Sequence, residues 1–108
     1  IQVSAGASHS CGLRDDDSAW CWGANSSGQT TIPAPNDNFT QISSGGQHTC
    51  GRKSDSSIVC WGSNSSSQLN VPSPNSGFSR VSAGGSHTCG RRSDGSLVCW
   101  GKNSSGQL

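Results

Sequence analysis

Three histidines and six cysteines carry the most versatile chemistry in this sequence, and their spacing is fixed. His9, His48 and His87 each stand two residues before a cysteine (Cys11, Cys50, Cys89), and a second cysteine follows ten residues later (Cys21, Cys60, Cys99). One histidine and two cysteines would give a zinc ion only three ligands, and the spacing matches no closed structural zinc site. Paired cysteines in a small Ser/Gly-rich chain instead point to disulfides and an oxidising compartment. Catalysis has less support. Serine is so abundant that a serine near a histidine carries no information. The acids Asp15, Asp16, Asp17, Asp55 and Asp94 fall where aspartate forms turns. The sequence therefore reads as a non-enzyme that needs no cofactor and no metal.

The elements that position these residues are repeats. Val3-Ser-Ala-Gly-Ala-Ser-His9-Ser-Cys11 returns as Ile42-Ser-Ser-Gly-Gly-Gln-His48-Thr-Cys50 and as Val81-Ser-Ala-Gly-Gly-Ser-His87-Thr-Cys89, each copy 39 residues after the last. Cys21-Trp22-Gly23 returns as Cys60-Trp61-Gly62 and Cys99-Trp100-Gly101. A constant period of this size marks one supersecondary unit stacked on copies of itself. The units run 1–39, 40–78 and 79–108, the last of them incomplete.

Within a unit, short apolar/polar alternations separated by Gly, Asn, Asp and Ser clusters read as strands and turns. The second unit gives Phe39–Ile42, His48–Arg52, Ile58–Gly62 and Gln68–Val71, which is four strands. If Cys50 faces Cys60, Arg52 faces Ile58, and Ser54-Asp55-Ser56 is a three-residue loop. The third unit then places Gly95 at the loop position that favours a left-handed residue. Facing residues on antiparallel strands meet the Cα separation of a disulfide, so the bonds Cys11–Cys21, Cys50–Cys60 and Cys89–Cys99 are expected. Alternation puts Ile58 and Cys60 on one face, Val59 and Trp61 on the other. A sheet apolar on both faces lies between two neighbours, and such sheets stacked around an axis are propeller blades. Trp22, Trp61 and Trp100 are expected to be buried between blades, near Gly12, Gly51 and Gly90.

Composition adds bounds. Only 29% of residues are hydrophobic, a disorder-like value that the periodic Trp, Cys, Val, Ile and Leu overrule. The core is thin enough to require staples or partners. A net charge of +1 lacks the basic bias of a nucleic-acid binder, and no stretch is long and apolar enough for a membrane helix.

The phrase Val81 to Cys89, with Ser93-Asp94-Gly95, Val98-Cys99-Trp100-Gly101, Asn103 and Gly106-Gln107-Leu108, resembles the repeat of the regulator of chromosome condensation family, over the whole chain. The resemblance implies an all-β fold of β-propeller type, with four-stranded antiparallel blades, commonly seven, of which about three are present. The cysteine-paired variety is similar to secreted or surface proteins, including plant receptor ectodomains. Members perform nucleotide exchange on a small nuclear GTPase, inhibition of a secreted enzyme, or partner binding, so fold alone does not select a function. Arg52 and Arg91 depart from the apolar residue usual at their position, which Leu13 keeps.

Several residues are candidates for contact. Arg52, Lys53, Arg91 and Arg92 form a basic ridge suited to an acidic partner or anionic glycan, set against solvated strand ends as the plainer reading. Trp20 replaces Val59 and Val98 and, with loops 33–38 and 72–77, is a place for selectivity. Asn25, Asn64 and Asn103 begin Asn-Ser-Ser, and Asn38-Phe-Thr is a fourth acceptor pattern for glycosylation in a secretory protein; at the first three a turn role competes. The expectation is a secreted or cell-surface module for protein or glycan binding, or a structural subunit of an extracellular assembly. Three blades without closure expect a longer chain or further copies.

Overall fold

The computed structural model describes residues 2–106 and 108. The described strands are β1 (Val3–Ala5), β2 (His9–Leu13), β3 (Ala19–Gly23), β4 (Phe39–Ser44), β5 (His48–Lys53), β6 (Ile58–Gly62), β7 (Phe78–Ala83), β8 (His87–Arg92) and β9 (Leu97–Gly101). They form three antiparallel sheets in the orders β1-β2-β3, β4-β5-β6 and β7-β8-β9, here called sheets 1, 2 and 3. The all-β repeat architecture of propeller blades is present.

The central hairpins follow from turn chemistry. Cys50 pairs with Cys60 and Arg52 with Ile58 across β5 and β6, and Lys53 N donates to Ser57 O at 2.9 Å to close a three-residue loop. The third loop residue is left-handed in all three copies: Asp17 at φ 64°, Ser56 at 70° and Gly95 at 90°. Two of these are not glycine, and the middle aspartate stiffens the loop. Asp55 Oδ1 accepts from Ser57 N at 3.0 Å and Ser57 Oγ at 2.6 Å; Asp16 and Asp94 do the same with Ser18 and Ser96. Side-chain bonds of this kind make Asp a turn former.

Apolar groups line both faces of sheet 2. Its leading face, Phe39, Ile42 and Trp61, buries against Cys11, Leu13 and Ala19 of sheet 1, with Val59 alongside. Its trailing face, Cys50 and Ile58 with Cys60, buries against Phe78 and Trp100 of sheet 3. The core is thus two thin slabs between sheets. The inner strands are joined through side chains: Ile42 N donates to Gln2 Oε1 at 3.1 Å and Ser44 N to Ser4 Oγ at 2.9 Å. Gln41 and Ser43 make the same joints to Val81 and Ala83.

Among the described residues each sheet has three strands, not the four expected. Gln68 and Leu69 lie in a turn, with Asn70 and Val71 outside any strand, because Asn64 Oδ1 accepts from Leu69 N at 2.9 Å and curls the chain back on itself. The outer edge of β6 is met by one side chain instead. Asn75 Oδ1 accepts from Ile58 N and its Nδ2 donates to Ile58 O, both at 2.8 Å. Asn36 grips Ala19 on β3 in the same two-handed way, at 2.7 and 2.9 Å. A carboxamide presents one donor and one acceptor, as a strand residue does, so it stands in for the missing neighbour.

Candidate functional site

The histidine two residues before each first cysteine belongs to a polar relay that crosses between sheets. His9 Nε2 lies 2.8 Å from Thr49 Oγ1, and Thr49 Oγ1 donates to Gln29 O at 2.9 Å. Trp61 Nε1 donates to the same carbonyl, also at 2.9 Å. The Thr49 hydroxyl has a single proton and gives it to Gln29, so His9 must donate through Nε2. The second joint repeats this with His48, Thr88, Gln68 and Trp100. The histidines, threonines and glutamines of both joints are buried. These bonds tie each sheet to the next. The cysteine sulfurs are joined as Cys11–Cys21, Cys50–Cys60 and Cys89–Cys99, so no thiolate faces the imidazoles. No group of three or more metal-ligating side chains converges among the described residues.

The same tautomer leaves Nδ1 of His9 and His48 buried without a partner among the described residues. Burial, opposed only in part by the His87 backbone and reinforced by the neighbouring imidazoles, lowers the pKa of His48 from 6.5 to about 4. Burial also lowers that of His9. The folded protein holds the His48 ring neutral down to about pH 4 while the unfolded chain takes up protons below pH 6.5. Stability should therefore be complete above about 6.5 and fall as pH drops toward 4, by at most about 3 kcal/mol from His48. Melting curves across this window, compared with His48→Gln, should show a flatter dependence in the variant.

The cationic candidates face inward more than outward. Lys53 Nζ donates to Pro35 O and Asp37 O at 2.8 and 2.7 Å, and Arg92 reaches Pro74 O and Ser76 O at 3.1 and 2.9 Å. Both therefore clamp the loops 33–38 and 72–77. Arg52 straps sheet 2 to sheet 3, its Nε donating to Phe78 O at 2.6 Å. Arg91 stays exposed and lies directly across the ladder from Arg80, where the second sheet has Gln41 opposite Arg52. Arg80, Arg91 and the exposed Leu97 line one groove on the trailing face of sheet 3.

The acceptor asparagines also separate. Asn25 Oδ1 accepts from Thr30 N and its Nδ2 donates to Thr31 Oγ1; Asn64 closes the same turn, and Asn103 Oδ1 accepts from Leu108 N. Asn38 is exposed with φ 58°. Gln107, part of the family phrase, lies outside the described residues.

The tryptophans are where the expectation fails in one copy. Trp61 and Trp100 are 5% and 6% exposed, but Trp22 is 42% exposed. The reason is directional: each buried indole packs on the sheet before its own, and no sheet among the described residues packs on that face of sheet 1. Trp22 instead packs against Trp20 with ring centroids 4.9 Å apart and the planes tilted by 41°, and Trp20 is also exposed. Gly51 and Gly90 make room for the rings of Phe39 and Phe78 rather than for tryptophan. Sequence reasoning missed these two phenylalanines and the buried Gln29 and Gln68. The signal that finds them is their own 39-residue recurrence, Phe39 to Phe78 and Gln29 to Gln68.

Comparison with known proteins fits this geometry. The chain belongs to the regulator of chromosome condensation (RCC1) repeat family, whose profile matches residues 1–29, 39–68 and 78–107. Among solved structures it is similar to the ectodomain of the receptor kinase CR4 from Physcomitrella patens, at 30% identity and a TM-score of 0.83 over 97% of this chain and 30% of that one. The ectodomain of the receptor kinase ACR4 from Arabidopsis thaliana shares 33% identity over 96% of this chain and 39% of that one, with a TM-score of 0.77. Prp20p from Saccharomyces cerevisiae, at 19% identity and a TM-score of 0.83 over 95% of this chain and 31% of that one, shares the fold. The chain thus spans about a third of the length of these structures. No curated protein matches it.

Proposed function

We propose that this chain is a segment of an extracellular or cell-surface propeller that binds a protein or glycan partner. The reading is carried by one disulfide in the same register of every sheet, a cross-link that persists in oxidising compartments. The receptor ectodomains at 30% and 33% identity support it.

Oxidation of the six cysteines is the part of this reading that a single measurement tests. Non-reducing peptide mapping of the chain recovered from a secretory host should give the three pairs within sheets and no free thiol. Recovery of a folded chain with six free thiols would overturn the proposal.

A further inference from the structure

Asn38 stands on a mount that the fold builds twice, and only this copy carries a side chain. Phe39 N donates to Asp17 O at 3.0 Å, in the hairpin loop of sheet 1, and Ser54 N, in the hairpin loop of sheet 2, donates to Asn38 O at 2.8 Å. The backbone at Asn38 is thus pinned between two loops. The next copy makes the same pair of bonds, Phe78 N to Ser56 O and Ser93 N to Gly77 O. Both mounts are left-handed, Asn38 at φ 58° and Gly77 at φ 70°. Glycine meets that need without steric cost, and asparagine is among the few other residues that tolerate it.

Backbone need explains an asparagine here but leaves its carboxamide unused. A left-handed asparagine can steady itself with a local side-chain hydrogen bond, yet the Asn38 carboxamide makes none among the described residues. It is exposed and borders an open cleft of about 290 Å³ whose walls include Pro35, Lys53 and Ser54. The other acceptor patterns are built differently. Asn25 Nδ2 donates to Thr31 Oγ1 and Asn64 Nδ2 to Asn70 Oδ1, both at 3.1 Å, and Asn103 closes its turn through Oδ1. Those three patterns end in serine, whereas Asn38-Phe39-Thr40 ends in threonine.

We propose that Asn38 is the principal N-glycan acceptor of this chain. The inference rests on the extracellular reading above, since N-glycans mark surface loops of secreted proteins. The donor is an oligosaccharide carried on a polyprenyl diphosphate. The Asn38 amide nitrogen bonds to the anomeric carbon of the first sugar and gives up one proton, and the polyprenyl diphosphate leaves, with no change of oxidation state. Thr40 Oγ1, the hydroxyl that completes the pattern, donates to Arg52 O at 3.1 Å and accepts from Arg52 Nη1 at 2.7 Å. Transfer therefore precedes the pairing of β4 with β5. Once sheet 2 closes, a sugar on Asn38 occupies open space on a fixed base and breaks no side-chain hydrogen bond, whereas one on Asn25 or Asn64 crowds an amide that closes a turn.

Secretion of the intact protein from cultured eukaryotic cells, then enzymatic release of glycans in heavy-oxygen water and peptide mapping, tests this. Release leaves a heavy-oxygen label at each asparagine that carried a glycan. The label is expected at Asn38 in most molecules, and at Asn25, Asn64 and Asn103 in a minority. Asn38→Gly gives this mount the residue of its second copy, so it should lose the glycan while the deglycosylated variant melts with the deglycosylated parent. The proposal fails if Asn38 stays unlabelled in a protein whose cysteines are all paired, an outcome that leaves the extracellular reading standing. It fails too if Asn25, Asn64 or Asn103 carries more label than Asn38, or if Asn38→Gly leaves the glycan mass unchanged. Free thiols throughout a folded, unglycosylated protein would overturn both readings.

Discussion

Replacing Trp61 with alanine should lower the unfolding free energy by roughly 3–5 kcal/mol, while the same change at Trp22 should cost under about 1 kcal/mol. Both residues occupy the same place in the repeat, so the contrast isolates packing from local sequence. Removing Trp61 deletes a ring buried against Leu13, Ala19 and Phe39. It also takes one of two donors from Gln29 O. The cavity that remains lies between two sheets that the Cys11–Cys21 and Cys50–Cys60 bonds stiffen, so little relaxation offsets the loss. Trp22 loses only its contact with Trp20 and a partly wetted surface. Urea denaturation of the two variants beside the parent measures both numbers. A Trp61 variant as stable as the parent would show that the inter-sheet slab is not what holds the chain together.

Reduction should be more severe. Each disulfide spans ten residues, and in the chain-entropy model a loop of that length is worth about 2–3 kcal/mol. If the three add, their loss removes roughly 6–9 kcal/mol, which is comparable with the whole stability of a domain this size. The reduced chain is therefore expected to be largely unfolded at room temperature, and Cys50→Ala/Cys60→Ala alone should lower stability by about 2–3 kcal/mol. Circular dichroism with and without reductant, together with non-reducing peptide mapping, checks both statements. A reduced chain that keeps its strand signal and cooperative melt would contradict them.

Much of this architecture can be read from residue order, for physical reasons. The hairpins were legible because strand alternation, cysteine spacing and loop chemistry are local and fix the same register. Arg52 opposite Ile58 needs no knowledge of the rest of the chain. The faces of β6 were legible for the same reason. The fourth strand was misread because Gln68-Leu69-Asn70-Val71 alternates like a strand, and alternation does not register Asn64 drawing the Leu69 amide into a turn. The role of Asn75 was hidden because one carboxamide doing the work of a strand has no periodicity. Trp22 was misplaced because burial belongs to the neighbouring sheet, not to the residue. Gln29 and Gln68 hold the joints largely through their backbone carbonyls, and a backbone atom leaves little trace in side-chain pattern. The inward use of Lys53 and Arg92 was equally hidden, since a cation beside a turn looks solvated until the loop it ties is seen.

The relay through Gln29 has a consequence for what counts as one piece of this protein. Gln29 belongs to the first repeat, yet the groups it anchors, Thr49 and Trp61, belong to the second. Gln68 likewise completes the third. The cooperative unit is thus offset from the repeated unit: it opens near the end of one sequence copy and closes at the tryptophan of the next. A boundary drawn between sheets cuts through it, whereas a cut just before the glutamine leaves it whole. Recombination that respects the second boundary hands each sheet to its neighbour with the joint already made. Lengthening or shortening the array then changes the number of sheets while keeping the glutamine–threonine–tryptophan joint between them.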